Sequence, residues 1–306
     1  MTDVILKALS LVLVILLAYT FKKVGILKAE SRETVTKIVL NITLPAAIIT
    51  SFAGYQPNPA LGVMVLLGFA LNVFFLLWGL LVTLGKSREE RVFGALNYPG
   101  FNIGSFTLPF VQSFLGASGV VTTCMFDVGN SIMCTGGTYA ITSTVFGNRD
   151  EKVSMKGFVK KLFSTVPFDT YVIMLLLSLT GVVIPEGIVK LLSPAAAANG
   201  FLAMMMLGLM FEIQWEKRYF KAAVKILGQR YLMMILFAVL AWWFLPLPQS
   251  VLKVLVLLLF SPMSALCPVF TEQCGADRGL SGFLTSVSIL ISVAVITVLV
   301  SVLGVS

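Results

Sequence analysis

The chain has 306 residues, 58 % of them hydrophobic and 12 % charged, with a formal net charge of +8 and no histidine. A soluble domain carries about 25 % charged residues, so long uncharged runs at half that level exclude a soluble protein and describe a polytopic membrane protein. The missing histidine removes His metal sites, Ser-His triads and His proton relays together, and the cysteines (Cys124, Cys134, Cys267, Cys274) form no C-x-x-C pair, so neither structural zinc nor a disulfide framework is expected.

A membrane-crossing helix needs about 20 mostly apolar residues. The first apolar run, 4–19, starts behind Asp3, lacks a small-residue cleavage site and ends in Phe21-Lys22-Lys23. It reads as a retained first helix rather than a signal peptide. Ten spans are predicted in chain order: 3–21, 33–53, 60–84, 90–114, 117–146, 166–184, 192–212, 229–246, 249–272 and 279–303. The second carries Asn41, Thr43 and Pro45 in LNITLPA. The fourth contains NYPGFNIGSFTLP (97–109), which interrupts it with Pro99, Gly100, Gly104 and Pro109. The fifth places Asp127 mid-span in TTCMFDVGNSI. The ninth is interrupted again, by Pro262 and Pro268 in FSPMSALCPVFTEQCG (260–275). Proline costs a helix interior about 3 kcal/mol, so each interruption needs a reason.

Charge placement orients the spans. Nineteen of the 22 Lys and Arg fall in or beside the loops after spans 1, 3, 5, 7 and 9, among them Lys22, Arg32, Arg88, Arg149, Lys217, Arg230 and Arg278. Only Lys7, Lys190 and Lys253 lie on the other side. The positive-inside rule makes the odd-numbered loops cytoplasmic and puts both termini outside. Topology thus accounts for the basic balance, and no nucleic acid is expected.

Ten spans divide into five plus five, 1–157 and 158–306. An odd number per half means that the second half enters from the opposite side, the inverted-repeat plan of many secondary transporters, whose binding sites form at interrupted helices in matching positions. Spans 4 and 9 are that matched pair. Unwound backbone at membrane depth is tolerated only when buried in protein or lining a water-filled cavity. Half-helix N-termini favour anions and C-terminal carbonyls favour cations. The breaks therefore predict a site for a small charged solute, lined by Asn102, Gly104, Pro109, Pro262, Ser264, Cys267 and Pro268, with Asn41, Thr43 and Pro45 facing the same cavity. The plainer reading is that Pro and Gly only kink helices for packing.

Ionisable groups at membrane depth are expensive and usually functional. Helical spacing sets Thr123, Asp127, Asn130 and Ser131 on one face, suited to Na⁺ or to an exchangeable proton. Glu272 and Gln273, near the cytoplasmic end of span 9, either close that cation site or are simply solvated. No cofactor is expected beyond the coupling ion. No catalytic constellation is present, so an enzyme is not expected.

These residues carry a resemblance. LLAYTFKKVGILKAESRETVTKIVLNITLPAAIITSF (16–52), with its basic GIL turn and Asn-x-x-Leu-Pro motif at Asn41–Pro45, resembles the opening of the auxin efflux carrier family, which holds plant PIN-type carriers and bacterial malate and malonate permeases. NIGSFTLPFVQSFLGASG (102–119) is similar to the family's span-4 crossover, and CGADRGLSGFLTSVSILISVAVITVL (274–299) to its last-helix entry. The resemblance implies ten spans, outside termini, helices crossed at spans 4 and 9, and an elevator motion. In that scheme a scaffold of spans 1, 2, 6 and 7 carries a moving unit of spans 3–5 and 8–10. It also implies substrate contact at Asn102, a scaffold-mediated homodimer and a place in the plasma membrane (the inner membrane of a bacterium). Thr107 stands where the family has glycine before the span-4 proline, the large loop of plant members is reduced to a basic linker, and Asp127 matches no plant-carrier residue. The function expected is secondary transport of a small organic anion, a mono- or dicarboxylate of auxin-like or malate- and malonate-like type, coupled to Na⁺ or H⁺. The alternatives are an uncoupled facilitator, a sodium-coupled bile-acid-like symporter and, less favoured, a membrane sensor.

Overall fold

The computed structural model describes residues 2–55, 60–146, 155–211 and 217–303, and these are all-helical apart from connections and one isolated bridge. In chain order the helices are α1 (Thr2–Lys23), α2 (Ala29–Ile38), α3 (Leu44–Phe52), α4 (Ala60–Val82), α5 (Arg88–Asn97), α6 (Leu108–Ile132) and α7 (Thr138–Phe146), followed by α8 (Met155–Leu162), α9 (Val166–Leu179), α10 (Glu186–Met210), α11 (Lys217–Phe244), α12 (Gln249–Leu259), α13 (Cys267–Gln273) and α14 (Arg278–Val302). Each segment expected to span is helical over most of its length. Six helical segments are long and apolar enough to cross a membrane by themselves: Glu30–Phe52, Ala60–Val82, Ile103–Phe146, Glu186–Met210, Tyr219–Phe244 and Arg278–Val302. Large apolar side chains such as Leu13, Leu66, Leu236, Trp243 and Val298 are exposed on the outside. Such an apolar exterior belongs in lipid, so the protein is membrane-integral.

The helices are broken where the sequence forces them. Thr-Leu-Pro occurs at 43–45 and again at 107–109, and each time the turn before it, Val39–Thr43 and Ile103–Thr107, widens to a π-helix. Proline has no N–H for the carbonyl one turn back, and a single π turn absorbs the mismatch. A third π turn, Met133–Gly137, carries the glycine pair Gly136-Gly137. Gly116 interrupts α6 with φ 61°, the left-handed conformation that glycine adopts without strain. It lies where spans 4 and 5 were expected to divide. On the entry side, α5 starts with a capping box, in which Ser87 Oγ accepts from Glu90 N at 3.2 Å and Glu90 Oε2 accepts from Ser87 N at 3.2 Å.

Bare backbone contacts fix several of these helices together. A Cβ at Gly68 would meet Phe126 O at 2.1 Å, and one at Gly129 would meet Val65 O at 2.0 Å, so α4 and α6 touch backbone to backbone. Gly79 and Gly94 do the same for α4 and α5, at 2.3 and 2.7 Å to each other's carbonyl oxygens. Small residues that admit close approach are the usual means of helix association in lipid, where apolar side chains gain nothing by leaving the bilayer.

Candidate functional site

The two interrupted spans meet. Between α5 and the π turn before α6 the chain is unwound at Tyr98–Asn102, and between α12 and α13 it is unwound from Phe260 to Leu266. Phe101 and Met263 pair as an antiparallel bridge, and Asn102 N donates to Pro262 O at 2.9 Å. Both segments are largely buried. Every polar backbone group here needs a partner inside the protein, and the partners define the site.

At the first break they are side-chain amides. Asn130 Nδ2 donates to Phe101 O at 2.9 Å and its Oδ1 accepts from Phe101 N at 3.2 Å, so one side chain imitates a neighbouring strand. Asn72 Oδ1 accepts from Gly100 N at 2.8 Å, and Asn72 Nδ2 reaches Asn130 Oδ1 at 3.0 Å. Asn97, on the last turn of α5, donates to Thr271 Oγ1 at 2.9 Å and so ties α5 to α13. Gly100 adopts φ 91°, and a Cβ there would lie 3.0 Å from Ser264 Cβ. A side chain would push the two breaks apart.

Asp127 belongs to this network. Its Oδ1 accepts from Asn130 Nδ2 at 2.8 Å, its Oδ2 accepts from Tyr171 Oη at 2.9 Å, and Ser131 lies beside the same carboxylate. Gly104 leaves room for that contact, since a Cβ would stand 3.2 Å from Tyr171 Oη and 3.5 Å from Asp127 Oδ2. The expected face of Asp127, Asn130 and Ser131 is therefore assembled. Thr123 shares the helix face, with its buried Oγ1 unpartnered among the described residues.

Asn102 lines a cavity of about 220 Å³ together with Arg32, Pro268, Arg278 and Thr285, closed by Leu207 and Met210 of α10. Only 5 % of Asn102 is exposed; its Oδ1 accepts from Ser105 Oγ at 2.6 Å, while Nδ2 has no hydrogen-bond partner among the described residues. An unpartnered buried amide donor costs free energy, and here it belongs to a residue that lines a cavity together with two arginines. Pro262 and Ser264 sit in the second break, and Cys267 Sγ lies 4.0 Å from Pro99 O. Pro109 is buried at the first turn of α6.

Three expectations need correction. None of Asn41, Thr43 and Pro45 lines the Asn102 cavity: Asn41 is exposed, while Thr43 and Pro45 are buried and Thr43 Oγ1 donates to Asn199 Oδ1 at 3.1 Å. Glu272 is exposed and pairs with Arg278 at 2.7 Å, and Gln273 lines a separate crevice with Arg88 and Tyr139, so neither joins Asp127. Arg230, counted among the loop charges, is 1 % exposed. Its Nη1 donates to Tyr98 O and its Nη2 to Gly100 O at 2.7 Å, inside the first break. Sequence reading also missed Asn72 and Tyr171. A lone Asn in the apolar run ALNVFFLL was the available signal for the first. Nothing in PFDTYV marked the second.

Buried unwound segments that meet beside a cavity lined in part by polar side chains suit passage of a polar solute, and comparison with known proteins agrees. A family model described as membrane transport protein matches residues 3–303. A protein of Methanothermobacter thermautotrophicus named an uncharacterized transporter is 24 % identical over 233 residues, which cover 73 % of this chain and 73 % of that protein. The chain belongs to the membrane transport protein family, that of the auxin efflux carriers, and is a membrane transporter.

Proposed function

We propose that the protein is a secondary active transporter of a small organic anion, a mono- or dicarboxylate of auxin-like or malate- and malonate-like type, in the plasma membrane. The observation that carries this reading is Asn102, which lines the cavity that Arg32 and Arg278 also line and holds a buried Nδ2 with no hydrogen-bond partner among the described residues. Amide and guanidinium donors are the groups that recognise a carboxylate, and the helical segment that starts at Ile103 turns its positive end to the same place. Both arginines belong to loops read as cytoplasmic, so the cavity opens inward.

Asp127 is the proposed coupling group, with H⁺ or Na⁺ as its ion. The halves 1–157 and 158–306 are proposed as inverted repeats, with spans 1, 2, 6 and 7 as a dimer-forming scaffold and the rest as the moving unit. On that division the contacts Tyr171–Asp127 and Asn199–Gln112 cross the sliding boundary and must break during transport.

Purified protein in proteoliposomes, offered labelled mono- and dicarboxylates under imposed H⁺ or Na⁺ gradients, tests the proposal. The expected result is accumulation above equilibrium, reduced roughly tenfold to a hundredfold by Asn102→Ala, the worth of one hydrogen bond to a charged group. Flux that never exceeds equilibrium would identify a facilitator. Absence of saturable flux for every acid would sink the anion reading.

A further inference from the structure

We propose that Arg230 is a built-in counter-cation of the crossing, whose guanidinium holds the backbone carbonyls at which a coupling alkali ion would otherwise bind, so that Na⁺ is not the coupling ion. The inference deepens the proposed function and rests on the crossing being the transport centre.

The α5 helix ends at Asn97, and its last carbonyls carry the negative end of the helix dipole. In transporters built on broken helices, such carbonyls and the adjoining unwound backbone coordinate Na⁺. Here two of those carbonyls are already engaged by a cation. Arg230 holds Tyr98 O through Nη1 and Gly100 O through Nη2 at 2.7 Å, a fork on two carbonyls of the unwound strand. Its Cζ lies 4.9 Å from the ring centroid of Phe101 and 5.3 Å from that of Phe75, so aromatic rings cover the charge. The neighbouring Gln229 accepts a hydrogen bond from Tyr98 Oη, which holds the start of the break against α11.

A buried arginine ordinarily demands a carboxylate. Among the described residues Arg230 forms no ion pair; the pairs present are Lys37–Glu33, Lys86–Glu90, Lys190–Glu186 and Arg278–Glu272, all at exposed positions. Carbonyl oxygens and ring faces therefore stabilise the charge, and carbonyl oxygens are what an alkali ion would use. At the other candidate for Na⁺, the Asp127 carboxylate, Oδ1 already accepts from Asn130 Nδ2 and Oδ2 from Tyr171 Oη, so one lone pair of each oxygen is engaged by a donor. Arg230 touches backbone rather than the cavity that Asn102 lines, which makes it a positioning residue.

Thermal unfolding of the purified protein in detergent tests this without knowledge of the substrate. Wild type is expected to melt at the same temperature in NaCl, KCl and choline chloride of equal ionic strength; a rise specific to Na⁺ overturns the proposal. Arg230→Lys keeps most of the wild-type melting temperature, whereas Arg230→Met, which keeps bulk without charge, loses it. Arg230→Met as stable as wild type would make Arg230 mere filling and overturns the proposal. Arg230→Ala is expected to fall and to recover in millimolar guanidinium chloride; no recovery overturns it as well. If Arg230→Ala does not fold, the wild-type salt comparison and the Lys and Met variants decide. Failure of the transport reading shows elsewhere, as absent organic-acid flux with these melting results intact.

Discussion

The two breaks solve one problem by different chemistry. Each is an unwound stretch inside the membrane domain, and each has backbone groups that no helix satisfies. The first recruits long side chains from other helices, Asn72 of α4, Asn130 of α6 and Arg230 of α11. The second uses short hydroxyls and the first break itself. Met263 N donates to Ser288 Oγ at 3.0 Å, Ser261 Oγ meets Thr107 Oγ1 at 2.6 Å, and Pro262 O accepts from Asn102 N. The only side-chain charge applied directly to either unwound strand is therefore at the first break, among the described residues. The two breaks meet backbone to backbone but differ in electrostatics, and the difference belongs to Arg230.

Substitutions on each side measure how far the difference extends. The largest loss is expected from Asn130→Leu, which strands Phe101 N at about 1–3 kcal/mol and also removes the hydrogen bonds of Asn130 to Phe101 O, Asp127 Oδ1 and Asn72 Nδ2, although Phe101 O keeps Ile103 N at 3.0 Å. Reversible unfolding in detergent reads it directly, and a near-neutral result would mean that water or a rearranged strand takes the place of Asn130. Ser288→Ala should cost less, about 1–3 kcal/mol for the single Met263 N–H. An equal or larger cost than that of Asn130→Leu would reverse the ranking of the two breaks. Tyr171→Phe removes one hydrogen bond to Asp127 and is expected to cost least, about 0.6 kcal/mol, as for typical hydrogen bonds between membrane helices. Its value lies in being small: a loss above that of Ser288→Ala would make the Asp127 contact part of the structural frame.

Much of the crossing was legible in the sequence because prolines and glycines inside an apolar run disrupt the helix that such a run would otherwise form. Pro99, Pro109, Pro262 and Pro268 located both interruptions, and the position of Asn102 between the first two marked it for the cavity. Asp127 stood out as a carboxylate at mid-span, and its spacing to Asn130 and Ser131 gave the face. Arg230 was hidden by its neighbours. It follows Lys217, Arg218, Lys221 and Lys225, so a charge count reads it as one more loop residue. Burial was the deciding fact, and burial depends on how α11 packs on the break. Asn41 failed because nearness to Pro45 in the sequence does not say which way a side chain faces, and Asn41 is exposed. Tyr171 and Ser288 are ordinary residues of apolar helices, and only the fold gives them a role.

The glycine contacts of α4 have a mechanical meaning. Through Gly79 and Gly94 this helix lies bare against α5, before the first break, and through Gly68 and Gly129 it lies bare against α6, beyond it. At Gly68 and Gly129 only backbone atoms stand nearest, whereas at Gly79 and Gly94 the Tyr98 and Thr83 side chains share the contact, at 3.1 and 2.8 Å from the position of a Cβ. α4 is thus a splint laid across a fracture: it holds the two fragments in fixed alignment, with Asn72 pinned to Gly100 at the gap. The broken helix is thereby backed on both sides of its gap by one continuous helix.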